Sequence, residues 1–159
     1  MLIYFLMLFA FAADRLTKSW AARTLADGGR IEIHPLIRLQ PAYNRGIAFG
    51  MFQGSAPLVG WATIAILVGL LLYLRKIPGS MWGLRGGMAL IIGGALGNMV
   101  DRITMGQVLD FIATPIRPGI FNIADVMINI GILLSLFSLF FQRPKEETVT
   151  STVSKHDKD

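Results

Sequence analysis

Apolar residues run in four long blocks, Leu2–Ala22, Pro57–Leu74, Leu84–Val100 and Ile120–Phe141, each close to the ~20 residues a membrane-spanning helix requires. The first block stays uncharged for only thirteen residues before Asp14, Arg15 and Lys18 arrive, so its far end is expected to be interfacial, wet or packed in protein. Ala10-Phe11-Ala12 also resembles the small-x-small cleavage site of a secretory signal peptide, but no Lys or Arg precedes the apolar run, as such a peptide requires. Between the first two blocks, Ile31-Glu32-Ile33-His34 and Ile37-Arg38-Leu39-Gln40 alternate apolar with polar, the period of half-buried strands, and predict a small sheet on the membrane surface. Asn44-Arg45-Gly46 predicts a turn, and Ile47-Ala48-Phe49-Gly50-Met51-Phe52 an apolar strip that dips into the interface. The pattern is that of an all-α integral membrane protein, a four-transmembrane-helix bundle over residues 1–142, followed by a disordered polar tail, 143–159.

Composition agrees. Hydrophobic residues make up 53% and charged ones 16%, against roughly 25% charged in a soluble domain, and the mean hydropathy is +0.57. There is no Cys, which removes disulfides, thiol nucleophiles, Fe–S clusters and cysteine zinc sites. The two histidines are His34, which precedes Pro35 at a strand end and reads as structural, and His156, in the tail, so no His-based metal centre or dyad can be assembled. The net charge of +5 is dispersed between apolar runs rather than gathered on one face, which argues against nucleic acid and for a membrane surface with anionic lipids. Four spans leave seven Lys/Arg on the side of the termini and eight on the other, so the positive-inside rule does not decide the orientation. The acid-free loop with Arg75, Lys76 and Arg85 mildly favours its own side as cytoplasmic.

Helix contacts are marked by small residues four apart, at Gly83/Gly87, Gly93/Gly97 and Gly131/Ser135, because in lipid close backbone approach replaces the hydrophobic effect. Acids in or beside the spans stand out more, since each costs about 2.5–3.5 kcal/mol to insert. Asp14 and Lys18, four apart with the acid first, form a favourable helical pair and read as an interfacial ion pair. Asn98, Asp101 and Arg102 share one helical face, with Asp101 neutralised by the adjacent Arg102, and read as scaffold.

Asp110 and Asp125 differ. Asp110 lies in Val108-Leu109-Asp110-Phe111-Ile112, too short for a span and with no base within four positions. Asp125 stands one turn into the fourth block, where Asn122, Asp125 and Asn129 form a polar stripe. The loop between the acids, with Pro115, Pro118 and Gly119, is long enough to bring them face to face. Two such carboxylates share one proton, so that one acts as base toward water and the other as acid toward a carbonyl. On the residues alone, two unrelated acids each paired with Arg102 or Arg117 stay equally open. A Ser/His dyad, His-Glu-x-x-His and Gly-x-Gly-Asp are all absent from the spans.

Five blocks, Asp14-Arg15-Leu16-Thr17-Lys18, Asn44-Arg45-Gly46-Ile47-Ala48-Phe49, Gly93–Arg102, Val108-Leu109-Asp110-Phe111 and Phe121-Asn122-Ile123-Ala124-Asp125, resemble in order those of the bacterial lipoprotein signal peptidases, signal peptidase II. The resemblance implies an aspartyl endopeptidase of the bacterial cytoplasmic (inner) membrane that needs no metal or cofactor. Both termini would be cytoplasmic, with a β-cradle and the site near the extracytoplasmic face. It implies Asp110 and Asp125 as the catalytic pair, Asn44, Asn98, Arg102 and Asn122 as residues that line or brace the site, and Asp14 as a structurally important acid. The implied substrate is a prolipoprotein cut just before its diacylglyceryl cysteine, and a globomycin-type inhibitor is expected to block a monomeric enzyme. Asn98, Asn122 and Asn129 then suit a small wet cavity, although helix–helix hydrogen bonding is the favoured role of Asn129. The competing readings are a small proton or ion transporter with a relay of Asp14, Asp101 and Asp125, and a non-catalytic assembly subunit.

Overall fold

The computed structural model describes residues 1–46 and 56–141; the apolar strip Ile47–Phe52 and the tail 143–159 lie outside the described residues. Among the described residues four α-helices form: α1 (Leu2–Thr24), α2 (Ala56–Lys76), α3 (Trp82–Met105) and α4 (Ile123–Phe141). Each is rich in Leu, Ile, Ala and Met and carries no proline beyond its first turn, so the backbone ladder is unbroken. α3 ends at Gly106, whose φ of +68° only glycine takes without strain and whose N–H returns to Arg102 O at 3.1 Å.

α3 is central. In its most apolar window 67% is buried, against 22% for α4, and α1, α2 and α4 turn Phe5, Trp61, Leu72, Leu133 and Phe140 outward. Among the described residues, α3 and α4 are long and apolar enough to cross a membrane. The glycines let the helices close up: a Cβ on Gly87 would strike Gly131 O and Ser135 Oγ of α4, and one on Gly93 would strike Met7 O of α1. Leu67, Leu74, Met88 and Ile92 fill the core between α2 and α3, with Met7 of α1 packed against it.

The strands among the described residues form one antiparallel sheet in the order β1 (Ile31–His34), β2 (Ile37–Asn44), β3 (Val108–Ala113) and β4 (Ile120–Phe121). The two alternating segments are strands, as expected, and His34 is exposed, accepting the Leu36 N–H at Nδ1. Two expectations need correction. Ile120 and Phe121 do not begin the fourth span; they pair with Ala113 and Ile112 as β4, and the helix starts at Ile123. Asp125 therefore lies in the first helical turn rather than one turn inside. The stretch around Asp110 is a sheet strand, too thoroughly buried to show alternation. Leu109 and Phe111 pack under the sheet against Ala21 and Leu25 at the end of α1, which leaves Asp110 on the opposite face.

Register sets what Asp110 meets. Pro41 cannot donate to the ladder, and the β2–β3 register shifts between Leu39 and Ala42. Beyond that bulge Ala42 stands opposite Asp110 and Asn44 opposite Val108. Asn44 is thus the diagonal neighbour of Asp110 on the same face, within side-chain reach.

Candidate functional site

Asn122 caps α4, and the way it does so organises the acids. Its Oδ1 accepts the Asp125 N–H at 3.0 Å while Asp125 Oδ2 accepts the Asn122 N–H at 3.2 Å, a reciprocal capping box. The side-chain amide of Asn122 points the other way and donates to Asp110 Oδ1 at 2.6 Å and Asn98 Oδ1 at 3.0 Å. The second oxygen of Asp110 accepts from Asn44 Nδ2 at 3.2 Å, and Asp125 Oδ1 accepts from Asn98 Nδ2 at 3.1 Å. All four carboxylate oxygens therefore receive an N–H, three of them from asparagine amides.

The orientation of Asn98 is dictated from below. Lys18 Nζ donates to Asn98 Oδ1 at 2.7 Å, so the amide nitrogen is left to face Asp125. Lys18 is itself buried between Asp14 Oδ2 at 2.9 Å and Asp101 Oδ2 at 2.8 Å, and Asp101 is bonded again by Arg15. Asp14 Oδ1 accepts the Ala124 N–H at 3.0 Å, a free donor of the first turn of α4. Gly97 makes room: a Cβ there would overlap Asp14 Oδ2. The Asp14–Lys18 pair is as expected. Asp101 is not neutralised by Arg102, because the sequence neighbours point apart. Arg102 donates to Asn98 O at 3.3 Å and to Gly46 O at 3.2 Å, tying the turn after β2 to α3.

Asp110 and Asp125 front one cavity of about 70 Å³, also lined by Asn44, Asn98, Arg102 and the 117–120 segment, ample for water between two carboxyls. Among the described residues neither acid has an ion-pair partner within 4 Å. Arg117, one alternative partner, lies over the Phe121 ring at 4.7 Å. Burial, and next the neighbouring Asp125 carboxylate, push the Asp110 carboxyl up to about 6 against the opposing N–H donors of Asn44 and Asn122. A proton held by one acid beside a second acid is the equipment for general acid–base work on an amide bond. Among the described residues no group of three or more His, Cys, Asp or Glu could hold a metal ion.

The expected site residues Asp14, Asn44, Asn98, Arg102, Asp110, Asn122 and Asp125 thus fall into one connected cluster. Asn129 does not join it; it is exposed on α4. Lys18, expected to pair with Asp14, and Asp101, expected to pair with Arg102, together form the floor of the cluster, and the Ala124 N–H carries no sequence signal of its own. The spacing Asn-x-x-Asp before an apolar run was the available signal for the α4 cap.

Residues 6–141 match the protein family described as signal peptidase (SPase) II. The chain is 40% identical over 134 residues to the lipoprotein signal peptidase of Parasynechococcus marenigrum (strain WH8102), covering 82% of this chain and 83% of that one. It is 37% identical over 140 residues to that of Clostridium novyi (strain NT), covering 84% and 95%. Its fold is similar to a bacterial membrane enzyme solved by the in meso method at 2.3 Å, with a TM-score of 0.81, 29% identity and 99% and 94% coverage. A second bacterial membrane enzyme, solved at 1.9 Å, gives a TM-score of 0.77 at 31% identity, with 89% and 94% coverage. Together with these matches, the helical scaffold and the two acids on one cavity are those of a membrane peptidase. The chain belongs to the signal peptidase II family, the aspartic proteases that remove signal peptides from prolipoproteins.

Proposed function

We propose that Asp110 and Asp125 are the catalytic pair, and that the chain cleaves a prolipoprotein immediately before its lipidated cysteine. The observation that carries this reading is the shared cavity, in which both carboxyls are held by asparagine amides and neither, among the described residues, has an ion-pair partner within 4 Å. One carboxylate takes a proton from water as the oxygen attacks the scissile carbonyl; the other, protonated, delivers its proton to the departing amine as the C–N bond breaks. Asn44, Asn98 and Asn122 orient the pair, Arg102 braces the turn beside it, and Asp14 fixes the start of α4. The reading includes residues 1–142 as one unit with four spans in a bacterial cytoplasmic membrane and 143–159 as a cytoplasmic tail. Both termini are then cytoplasmic, and the sheet and acids lie near the extracytoplasmic face. A substrate whose signal helix and acyl chains partition into lipid brings its scissile bond to that depth. A globomycin-type cyclic peptide would compete for the cavity, and the enzyme would act as a monomer. A proton relay through Asp14 and Asp101 finds little support, because both are ion-paired to Lys18.

The test is processing of a lipidated precursor. Asp110→Asn and Asp125→Asn are each expected to insert and fold yet leave the precursor uncleaved. Parental processing by either variant would overturn the assignment.

A further inference from the structure

A second cavity, of about 190 Å³, opens at the end of the bundle away from the two acids, where α1 begins, α2 ends and α3 begins. α1 and α2 both pack on α3 but scarcely touch each other, so a cleft is left between them with α3 as its floor. Its walls are largely apolar, with Met1, Ile3, Met7, Leu71 and Leu74 beside the Tyr4 phenol, and two guanidinium groups, Arg75 and Arg85, complete the lining without an acid among the lining residues. Arg85 is anchored by donating through Nη1 to Ile77 O at 2.9 Å, which leaves its other donors unspent on that bond. Arg75 is exposed, and Lys76 adds a third positive charge beside it. Exposed Tyr4, Tyr73 and Trp82 lie at the same end, the side-chain type found at headgroup depth.

Two arginines over an apolar slot, with no counter-charge in the lining, match a molecule that is anionic at one end and hydrocarbon at the other. Guanidinium groups take phosphate oxygens in a bidentate fork, and basic pockets between helices collect anionic headgroups. We propose that this cleft binds an anionic glycerophospholipid of the adjacent leaflet, its phosphate between Arg75 and Arg85 and part of one acyl chain between α1 and α2. The proposal rests on the four-span reading, which puts this end of the bundle at a bilayer surface. It is separate from the peptidase site, at the opposite end of the bundle.

The full chain, purified in a neutral detergent and titrated with phosphatidylglycerol or phosphatidylcholine, is read by native mass spectrometry. Each arginine is expected to contribute about fivefold. Phosphatidylglycerol is therefore expected to bind more than tenfold tighter than phosphatidylcholine, a preference that Arg75→Gln/Arg85→Gln erases. Arg75→Gln alone, at an exposed position, should cost about fivefold in a protein that still cleaves precursor. Arg30→Gln, beyond the far end of α1 and just before β1, should change nothing. Absence of the preference, an equal loss in Arg30→Gln, or displacement of the lipid by millimolar inorganic phosphate would overturn the proposal. Impermeant maleimide on Glu32→Cys and Gly79→Cys in sealed vesicles separates the two readings. Labelling from one face sinks the four-span arrangement, whereas labelling from opposite faces without lipid preference sinks the lipid site alone.

Discussion

Asp14 Oδ1 accepts the Ala124 N–H at 3.0 Å across 110 positions of sequence, so an acid of α1 holds the first turn of α4. Its other oxygen faces Lys18 at 2.9 Å. Removing a partner from a buried pair costs about 3–5 kcal/mol, because the remaining charge is left without compensation. Lys18 keeps Asp101, so Asp14→Ala, which also strips the Ala124 N–H of its acceptor, is expected to lose about 3 kcal/mol, the lower end of that range, read as the midpoint of denaturation in SDS. Asp14→Asn keeps an acceptor for Ala124, and Lys18 retains Asp101, so it should lose about 1–3 kcal/mol. Equal stability of Asp14→Ala and the parent would contradict the geometry.

Gly97 supplies the space that Asp14 occupies. Gly97→Ala drives a methyl into a carboxylate that Lys18 and Ala124 both hold in place, and overpacking of this sort costs about 1–3 kcal/mol. The same substitution at Gly106 meets no neighbour within 4 Å but must accept φ of +68°, for about 1–2 kcal/mol. Thermal inactivation of the two variants should show both losses, but only Gly97→Ala should also lower the rate of precursor cleavage.

Asn122 does two jobs that one substitution can separate. Asp is as good an N-cap as Asn, so Asn122→Asp should keep the stability of α4. It nevertheless replaces the amide that donates to Asp110 by a third carboxylate. Cleavage should fall by more than about 100-fold, while Asn122→Ala loses both activity and about 1 kcal/mol of helix capping. An active Asn122→Asp would break the link between that amide and the chemistry.

The Asp110 carboxyl titrates at about 6 rather than its ordinary 3.8. Between those values the folded chain holds a proton that the unfolded chain has released. Stability from this group is therefore present at low pH and is lost as pH rises through about 6. The slope should vanish in Asp110→Asn. Cleavage should follow a bell-shaped profile whose alkaline limb belongs to the shared proton. Asn44→Ala removes a donor that favours the ionised form, so that limb should move to higher pH; movement to lower pH would count against the site as described.

The elements legible in the sequence are those whose signal is local. Helices announce themselves by apolar run length, β1 and β2 by alternation, and Asp14–Lys18 by a spacing of four. β3 was hidden because a strand buried on both faces has no polar beat, and β4 because two apolar residues next to an apolar helix look like its first turn. Arg102 departs from the expected pairing for a related reason: adjacent helical residues project about 100° apart, so Asp101 meets α1 while Arg102 reaches Gly46. Bonds such as Lys18 to Asn98 leave no trace at short range, and their partners were gathered only by likeness to a family.

The start of α4 and the setting of the acids are built from the same few bonds. Were the opening turn of that helix to fray, Asp125 would lose its backbone donor and Asp110 its amide together. On the proposed assignment, cleavage competence is thereby a readout of complete assembly.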